Sequence, residues 1–592
     1  MEMRRLFGFL IFWSVQVCRG SDLFLWPQPQ IVEAIDRSCH LISPTFTISV
    51  PAGSPKLLRA AASRYKRQVC TEKWSAVSIQ ARISSQSAQA TISRLVISVS
   101  DLRAGLQNGV DESYTLVVSE GDSASIVSNT TWGALHGLET FSQLVQFDSQ
   151  ARKLFISYGV RITDWPLYSH RGLLLDTSRN FFPVKDILRT IQALSYNKLN
   201  VFHWHISDSH SFPLLLESEP ELSKKGSYGP EFTYSRQDVK RIVAFARSRG
   251  VRVIPEIDAP GHTASWGAAY PEMLTCLGKM WWDPNTQDWS KRMASEPGAG
   301  QLNPLHPKTY QVLKHIIEEV TALFPDSFYH AGADEIAPGC WNASEELSRL
   351  VSSGNATMGS LLELFVNRTY PMIASRNKTV VYWEDILLDA AVNVSADLLP
   401  RGSTVIQTWN NGAINTKAVT SAGYRAVVSS SDFLYLDCGR GDFLLNDSRF
   451  DQPNRTVVPP SLSITGDDAS FNYGGSGGSW CAPYKTWQRI YDFDLAYGLT
   501  RQEAALVIGA EAALWSELAD ANVLDGLVWP RTSALAEVTW SGNRDSSSKK
   551  RTTEAGKRLV EWRERMVSRG VAAHPMMPRW CILNHGLCNI NI

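Results

Sequence analysis

The sequence lacks an excess of charge of either sign, because 58 Lys and Arg residues balance 58 Asp and Glu residues. A balanced chain gives no support for a nucleic-acid partner or an anionic membrane surface, so we expect a neutral ligand and no nucleic acid. After its amino terminus the chain also lacks an apolar run near the ~20 residues that span a bilayer. Its cysteines lack zinc-type spacing, which removes the usual signal for a structural zinc site.

The amino terminus does contain a short apolar run. Arg4 and Arg5 precede the segment from Leu6 to Val17, and Cys18-Arg19-Gly20 follows it with small residues at the usual cleavage positions. This order is typical of a cleaved signal peptide, which we assign to residues 1–20. An uncleaved anchor is the alternative, but about twelve apolar residues are too few for a spanning helix. We therefore expect entry into the secretory pathway, with the extracellular space or apoplast, the cell surface or the vacuole as destination.

Removal of this segment, with Cys18, leaves an even number of cysteines. They are Cys39, Cys70, Cys276, Cys340, Cys438, Cys481, Cys581 and Cys588. In an oxidising compartment we expect them to pair as sequence neighbours. Eight cysteines allow on the order of a hundred pairings, so the sequence alone does not choose among them.

Asparagine glycosylation sequons recur along the chain. They stand at Asn129, Asn342, Asn355, Asn367, Asn377, Asn393, Asn446 and Asn454. Several sequons behind a signal peptide support secretion. They also predict surface segments, since a glycan cannot be buried.

Two domains follow from the pattern of apolar residues. Residues 21–160 combine alternating segments, such as Tyr114 to Val118, with a helical stretch from Thr131 to Phe147, which predicts a small α/β domain. From 165 to 550 short apolar strands alternate with segments of helical period. The strand candidates are Gly172 to Leu175, Lys198 to His205, Val251 to Ile257, Phe328 to Gly332, Val380 to Trp383, Thr404 to Trp409, Arg425 to Ser429 and Ile508 to Trp515. Eight strands predict an α/β fold with a closed (β/α)8 TIM barrel.

Two further segments complete the predicted organisation. Residues 438–481 are rich in Asn, Asp, Pro, Gly and Ser, which predicts a loop insertion over the barrel mouth. A disulfide between the cysteines at its ends would hold this loop, although an exposed flexible excursion fits the composition equally well. Residues 551–592 carry a helical stretch and the last two cysteines, so we expect a helical and disulfide-bonded tail.

The active site of such a barrel forms at the carboxyl ends of its strands, so the polar residues after each apolar run are the candidates. They are Asp176, His203, His205, Asp208, Glu256, Asp258, His262, Asp334, Glu335, Trp383, Glu384, Asp385, Trp409, Tyr435, Asp437, Trp515 and Glu517, with Arg171 before the first run. Carboxylates interleaved with tryptophan and tyrosine suit a neutral sugar, because acids address its oxygens and aromatic faces pack on the ring.

The motif from His330 to Glu335 places two adjacent acids behind small residues. Neighbours on a regular strand point to opposite faces, so Asp334 and Glu335 can address one ligand only where the strand ends or bulges. For the dipeptide alone, a solvated acidic pair is the favoured interpretation. Its place at the fourth of eight strand ends, among acids and aromatics, favours a catalytic role instead.

Four motifs carry a family resemblance. They are the segments Arg171 to Arg179, His203 to Asp208 followed by Ser211-Phe212-Pro213, Pro255 to His262, and His330 to Glu335. In this order they resemble the β-N-acetylhexosaminidases of glycoside hydrolase family 20, and plant members of the secreted or vacuolar type are the nearest likeness. The amino-terminal region is similar to the small α/β companion domain of that family.

The resemblance implies a retaining, substrate-assisted hydrolase that releases a terminal non-reducing N-acetylhexosamine, GlcNAc or GalNAc, from N-glycans or chito-oligosaccharides. The nucleophile is the acetamide oxygen of the sugar. Glu335 would protonate the leaving oxygen and then activate water, Asp334 would orient the acetamide, and Tyr435 would donate to its oxygen.

The resemblance also implies a set of substrate-binding residues. They are Arg171, Asp208, His262, Trp383, Trp409, Asp437, Trp515 and Glu517. Asp437 is followed by Cys438 and not by the arginine seen where acidic, sulfated sugars are accepted, so we expect neutral substrates. We expect no cofactor and no metal, while a homodimer stays open because animal relatives commonly form dimers.

Two alternatives remain open at this point. The pattern His203-Trp204-His205 occurs in metal-dependent barrel hydrolases, although structural hydrogen bonding explains two such histidines more readily. A catalytically silent, sugar-binding glycoprotein would keep the same aromatic pocket. The intact Asp334-Glu335 pair favours an enzyme.

Overall fold

The protein folds into two domains in a computed structural model that describes residues 23–78, 85, 88–283, 288–441, 443, 479–584 and 586–590. The amino-terminal domain is an eight-stranded mixed sheet with two helices packed on it and on each other. Its strands are β1 (Ile31–Ala34), β2 (Cys39–Ser49), β3 (Ala88–Asp101), β4 (Tyr114–Val118), β5 (Ser123–Thr130), β6 (Gln146–Asp148), β7 (Lys153–Ile156) and β8 (Val160–Asp164). Its helices are α1 (Lys56–Thr71) and α2 (Thr131–Leu144). The strand order is β1-β8-β4-β5-β3-β2-β7-β6.

The second domain is a closed parallel barrel. The strands that follow are β9 (His170–Asp176), β10 (Val201–Ser207), β11 (Arg252–Ile257), β12 (Leu274–Thr275), β13 (Gln301–Leu302), β14 (Phe328–His330), β15 (Thr379–Trp383), β16 (Thr404–Thr408), β17 (Arg425–Val428) and β18 (Val507–Leu514). Strands β12 and β13 pair only with each other, and the other eight close the barrel in the order β9-β10-β11-β14-β15-β16-β17-β18. The predicted TIM barrel is confirmed.

Helices cover the outside of the barrel. They are α3 (Val184–Tyr196), α4 (Pro220–Gly226), α5 (Arg236–Arg247), α6 (Pro307–Leu323), α7 (Pro338–Asn342), α8 (Glu345–Ser352), α9 (Met358–Ala374), α10 (Asp385–Leu388), α11 (Gly412–Ser421), α12 (Ser431–Leu434), α13 (Trp487–Asp492), α14 (Arg501–Ala504), α15 (Leu524–Val528), α16 (Arg531–Ser541), α17 (Thr552–Ser568) and α18 (Arg579–Leu583). Short 3-10 turns lie at Ala264–Ala268, Pro271–Met273, Trp289–Lys291 and Arg401–Ser403.

Complete burial explains why the barrel strands could be predicted from the sequence. Every residue of β9 and β10 is buried, because helices cover one face and packed side chains fill the other. Such strands become nearly continuous apolar runs. The predicted strand bounds therefore differ from the observed ones by no more than three residues at either end.

Glycine permits the barrel to close between its last and first strands. Gly509 of β18 lies opposite His170 of β9 and has φ +154°. A Cβ atom at Gly509 would lie 1.7 Å from the His170 carbonyl oxygen. Only glycine allows the two backbones to approach this closely.

The small domain and the barrel share a buried interface along α2. All 14 residues of α2 are buried, with the sheet on one side and α17 on another. Arg565 of α17 donates to the carbonyl oxygens of Gln143 and Ser142, each at 2.6 Å, and Arg569 lies 2.7 Å from Glu139. The predicted carboxyl-terminal helix thus fastens the two domains together. The small domain also ends later than residue 160, since β8 belongs to its sheet.

Three of the four expected disulfides are present. They are Cys276–Cys340, Cys438–Cys481 and Cys581–Cys588. The expected bond between Cys39 and Cys70 is wrong for this structure, in which neither cysteine is disulfide-bonded. Cys39 is buried at the start of β2, whereas Cys70 is exposed near the end of α1, so the sheet and helix present these side chains to different environments.

The surface and terminal predictions are tested only in part. The six sequon asparagines within the described residues are all exposed: Asn129, Asn342, Asn355, Asn367, Asn377 and Asn393. The signal peptide, Asn446, Asn454 and nearly all of the 438–481 insertion lie outside the described residues. Among the helices that the structure does describe, none is both long and apolar enough to cross a bilayer.

Candidate active site

The fourth barrel strand ends immediately before the two adjacent acids. β14 stops at His330, and positive φ angles follow at Gly332 (+65°), Ala333 (+70°) and Glu335 (+50°). This left-handed backbone removes the alternation of a strand, so Asp334 and Glu335 reach the same space. A Cβ atom on Gly332 would lie 1.6 Å from a neighbouring carboxylate oxygen, which explains the glycine. The predicted strand end at this motif is confirmed.

His262 contacts both acids. Its Nε2 lies 3.3 Å from a Glu335 carboxylate oxygen and 3.6 Å from one of Asp334. Its Nδ1 lies 3.1 Å from Asp208 Oδ1. Burial lowers the pKa of His262, but the charges of Asp208 and Asp334 outweigh burial and raise this pKa well above its ordinary value. The imidazole is therefore a cation that bridges Asp208 and the adjacent acids.

The two acids have opposite pKa shifts. Burial and the charge of Asp258 raise the pKa of Asp334 well above its ordinary value. Burial also raises the pKa of Glu335, but its contact with His262 outweighs burial and the net shift is downward. Without a bound sugar, the surroundings therefore favour the neutral form of Asp334 and the ionised form of Glu335.

Asp208 supports the cluster from behind His262. Its Oδ2 lies 2.8 Å from Arg179 Nη1 and 2.9 Å from His205 Nε2. Burial raises the pKa of Asp208, but the Arg179 charge outweighs burial and holds this pKa well below its ordinary value. The Arg179 guanidinium also stacks 5.1 Å from the Trp515 ring. Arg179 thus joins the supporting acid to the aromatic wall of the site.

A buried ion-pair network continues from Asp208 down the barrel axis. His205 Nδ1 lies 2.7 Å from Glu256, and the two nitrogens of His203 lie 3.0 Å from Glu256 and 2.9 Å from Glu511. Burial lowers the pKa of His203, but these carboxylates outweigh it and raise the pKa to about 9. Every ring nitrogen of the two histidines faces a carboxylate, which fits the structural explanation of the histidine pair.

Five clusters of His, Cys, Asp and Glu among the described residues have donor atoms close enough to consider a metal, and two of them involve the histidine pair or the adjacent acids. The described residues bring together His203, Glu256 and His330, and separately His262, Asp334 and Glu335, with donor atoms within 4.8 Å in each cluster. The ion pairs described above account for most of these contacts. The donor sets therefore serve the network of the protein itself, and no step below uses a metal.

Aromatic rings from successive strand ends form one wall above the acids. Trp383 is buried and donates its indole N–H to Glu256 at 2.8 Å. Trp515 lies 5.9 Å from both Trp383 and Tyr435, and the Trp409 ring is parallel to the Tyr435 ring at 6.4 Å. These flat apolar faces suit the apolar side of a pyranose ring.

Asp437 and Glu517 follow two residues of this wall, Tyr435 and Trp515, by two positions each. Burial raises the pKa of Asp437 to about 6 and that of Glu517 well above its ordinary value. The charge of Asp437 adds to the Glu517 shift, so the two carboxyl groups face the same region. Cys438, directly after Asp437, is held in a disulfide with Cys481, which leaves no cation at that position.

The structure brings together all of the predicted site residues except Arg171. Arg171 lies at the amino-terminal end of β9, at the opposite end of the barrel from the acids. Its guanidinium donates to both carboxylate oxygens of Glu112 in the small domain, at 2.7 and 2.9 Å, and is 0% exposed. It also stacks 5.0 Å from the Trp540 ring. The predicted sugar contact of Arg171 is therefore wrong, because this side chain joins the two domains.

Arg179 and Trp480 are the site residues that the sequence analysis missed. Arg179 follows β9, so the rule of collecting polar residues after each strand would have found it. Asp176 accepts from the Arg179 backbone N–H at 3.3 Å, which fixes the turn that carries the guanidinium. Trp480, 69% exposed, lies 5.8 Å from Trp409. It stands near the end of the 438–481 insertion, which was predicted to lie over the barrel mouth, but no pattern within that loop singled out this residue.

Substitution of the two arginines separates their roles. Arg171→Ala should lower the free energy of unfolding by about 3–5 kcal/mol, because it leaves the Glu112 charge buried without its partner. Arg179→Ala also leaves a buried partner, Asp208, unpaired, but it should in addition raise KM for a GlcNAc glycoside, since it removes a charge from the substrate pocket. Thermal unfolding and steady-state kinetics on both variants measure the two effects. Equal effects of the two substitutions on KM would contradict this assignment.

Comparison with known proteins agrees with this geometry. Residues 168–543 match the family described as "Glycosyl hydrolase family 20, catalytic domain", and residues 25–144 match "beta-acetyl hexosaminidase like". The chain is 42% identical to a beta-hexosaminidase of Emericella nidulans, over 86% of this chain and 82% of the relative. It is 34% identical to human beta-hexosaminidase subunit beta, over 95% of this chain and 90% of the relative.

A solved structure has the same fold. The chitobiase of Flavobacterium johnsoniae superimposes with a TM-score of 0.70 at 26% identity, over 93% of this chain and 73% of that protein. These fungal, human and bacterial relatives support the family and give no support to the narrower plant type. The chain therefore belongs to glycosyl hydrolase family 20.

Proposed function

We propose that the protein is an exo-acting, retaining β-N-acetylhexosaminidase that releases terminal non-reducing GlcNAc or GalNAc from N-glycans or chito-oligosaccharides. The observation that carries this proposal is the Asp334-Glu335 pair, held by His262 at the foot of an aromatic wall. Family membership and the chitobiase and hexosaminidase relatives support the same reaction.

The first step forms one bond and breaks another. The acetamide oxygen of the sugar attacks the anomeric carbon while the glycosidic bond breaks, and Glu335 gives its proton to the leaving oxygen. Asp334 accepts a hydrogen bond from the acetamide N–H and stabilises the positive charge of the oxazolinium ion. Tyr435 donates to the acetamide oxygen and holds it below the anomeric carbon.

Substrate binding changes the surroundings of both acids. The reaction requires Glu335 protonated and Asp334 ionised, which is opposite to the directions in which the sugar-free site shifts the two pKa values. The acetamide N–H and the developing positive charge stabilise ionised Asp334. The sugar also excludes water from Glu335, which favours its neutral form.

The second step restores the enzyme. The Glu335 carboxylate takes a proton from water, whose oxygen attacks the anomeric carbon and opens the oxazolinium ion. Two displacements on opposite faces retain the β configuration. The leaving alcohol carries the proton that Glu335 gave, the released sugar carries the hydroxyl group of the water, and the other proton of that water restores the acid form of Glu335.

The site and its surroundings support a neutral terminal sugar as the substrate. Asp437 and Glu517 can accept hydrogen bonds from outer hydroxyl groups, and Cys438 supplies no charge for a sulfate. We place the enzyme in the secretory pathway, with the extracellular space or apoplast, the cell surface or the vacuole as destination. The predicted signal peptide and the exposed sequons support this location.

Digestion of a defined complex N-glycan with GlcNAc termini, beside a chito-oligosaccharide, tests the proposal. We expect single terminal residues to leave one at a time, and the first product to be the β anomer, because two displacements retain configuration. Mass spectrometry of the shortened chains and NMR of the released sugar measure both. Release of disaccharides would contradict exo action, and a first-formed α anomer would contradict the retaining mechanism.

A further inference from the structure

We infer that Asp385 is a positioning residue that fixes the general acid Glu335 and the pocket wall residue Trp409 relative to each other. This inference rests on the proposed function and names a part of the site that the mechanism above does not use. Asp385 begins α10, directly after β15, the barrel strand next to β14.

The carboxyl group of Asp385 accepts two hydrogen bonds, one from the Glu335 segment and one from the Trp409 segment. Its Oδ1 accepts from the backbone N–H of Glu335 at 3.2 Å. Its Oδ2 accepts from the indole N–H of Trp409 at 2.5 Å. The catalytic acid and the wall that packs on the sugar are thus tied to a single side chain between them.

The backbone of Glu335 needs a hydrogen bond of this kind to hold its conformation. Glu335 has φ +50°, a left-handed conformation that costs a residue with a side chain on the order of 1–3 kcal/mol. Such a conformation persists only where the surroundings hold it, and Asp385 supplies an acceptor for the amide of this residue. The amide of Ala333, two residues earlier, is held in the same way by Asp258 Oδ1 at 3.1 Å. Carboxylates from both neighbouring strand ends therefore hold the catalytic turn.

The preceding residue, Glu384, offers a matched control. Its carboxylate accepts from the backbone N–H groups of Trp409 at 3.1 Å and Asn410 at 2.9 Å, and from the Asn415 amide at 2.7 Å. Glu384 thus supports the Trp409 segment. Its own carboxylate bonds all go to that segment, so Glu384→Gln perturbs the wall and spares the Glu335 amide.

The leaving group of the substrate reports on the position of Glu335. A glycoside with a poor leaving group, such as a simple alcohol, needs its oxygen protonated as the bond breaks, whereas 2,4-dinitrophenolate leaves without protonation. A misplaced acid therefore slows the first step on the alkyl glycoside and spares the first step on the dinitrophenyl glycoside, while the second step needs Glu335 as a base for both. A damaged wall lowers both rates by the same factor.

The test measures kcat and KM for Asp385→Asn on alkyl and 2,4-dinitrophenyl β-GlcNAc glycosides. Asn keeps one acceptor oxygen and loses the other, so we expect kcat/KM for the alkyl glycoside, which reports the first step, to fall on the order of 10- to 100-fold, and kcat/KM for the dinitrophenyl glycoside to change far less. Glu384→Gln should lower both by a similar factor. Equal losses on both substrates in Asp385→Asn, or no loss, would overturn the inference.

A second variant covers the case in which Asp385→Asn does not fold, as judged by thermal unfolding. Trp409→Phe removes the indole N–H and frees one oxygen of Asp385. It also alters the wall, so kcat/KM should fall for both glycosides by a common factor and fall further for the alkyl glycoside. A uniform loss would count against the inference. Wild type that cleaves neither glycoside would instead refute the proposed function, so the two failures are distinguishable.

Discussion

Glu335→Gln is expected to lower kcat/KM for an alkyl or oligosaccharide β-GlcNAc substrate on the order of 10²- to 10⁴-fold, the range supplied by general acid–base catalysis. Glutamine keeps the shape of the side chain and the approach to His262, but it carries no transferable proton. A tenfold change corresponds to about 1.4 kcal/mol, so the loss amounts to about 3–5 kcal/mol of transition-state stabilisation. Steady-state kinetics with purified wild type and variant measure it.

The leaving group provides the internal control for this prediction. The first step of the variant should be nearly normal on a 2,4-dinitrophenyl glycoside, whose leaving group needs no proton. The second step, which needs Glu335 as a base, should still be slow, so a burst of dinitrophenolate is expected. If wild type and Glu335→Gln released the aglycone equally slowly, the protein would be the silent sugar-binding glycoprotein and the enzyme assignment would fail.

Removal of the acetamido group from the substrate should have the largest effect of all. A β-glucoside with a 2-hydroxyl lacks the internal nucleophile, whose effective molarity in well-oriented reactions reaches on the order of 10⁵ M or more. We therefore expect kcat/KM for a plain glucoside to be lower than for the GlcNAc glycoside by a factor on the order of 10⁵ or more, which matches this effective molarity. Cleavage of the glucoside should then be too slow to measure. Comparison of nitrophenyl GlcNAc and glucose substrates at matched concentrations measures it.

Asp334→Asn is the change in the protein that corresponds to removal of the acetamido group from the substrate, because Asp334 acts only on that group. It removes the charge that stabilises the oxazolinium ion, so kcat should fall on the order of 10²- to 10³-fold, by more than any change in KM. Its turnover of the glucoside should stay at background, because that substrate never uses Asp334. Efficient glucoside cleavage by wild type would contradict the assisted mechanism while leaving glycosidase activity intact, and unchanged kcat in Asp334→Asn would refute the role of Asp334.

Much of the site could be predicted because a parallel barrel converts local sequence into position. Apolar runs identify strands that are buried on both faces, and the residues after each run meet at one end of the barrel. Four separate segments of the chain supply His262, Glu335, Trp409 and Trp515, yet each of these residues stands within five residues of the end of such a run. That local rule was sufficient for these residues.

The same rule explains the error at Arg171. Arg171 precedes the apolar part of β9 and Arg179 follows it, so the two arginines lie at opposite ends of one strand. Resemblance of a whole motif does not distinguish these ends. The buried partner that makes Arg171 a link between the domains is Glu112, 59 residues away in the sequence. No local sequence pattern predicts this pairing.

By itself, the sequence determined the strand count, the strand ends, the acidic pair and the aromatic set, because burial and backbone alternation leave local periodic signals. Only the tertiary structure decided which partner each buried charge takes. The His203 and Glu256 network, the left-handed turn at Glu335 and the two bonds of Asp385 depend on neighbouring strands that are distant in sequence. Hydrogen bonds and ion pairs act over about 3 Å in space, so their partners are assigned only when the barrel closes.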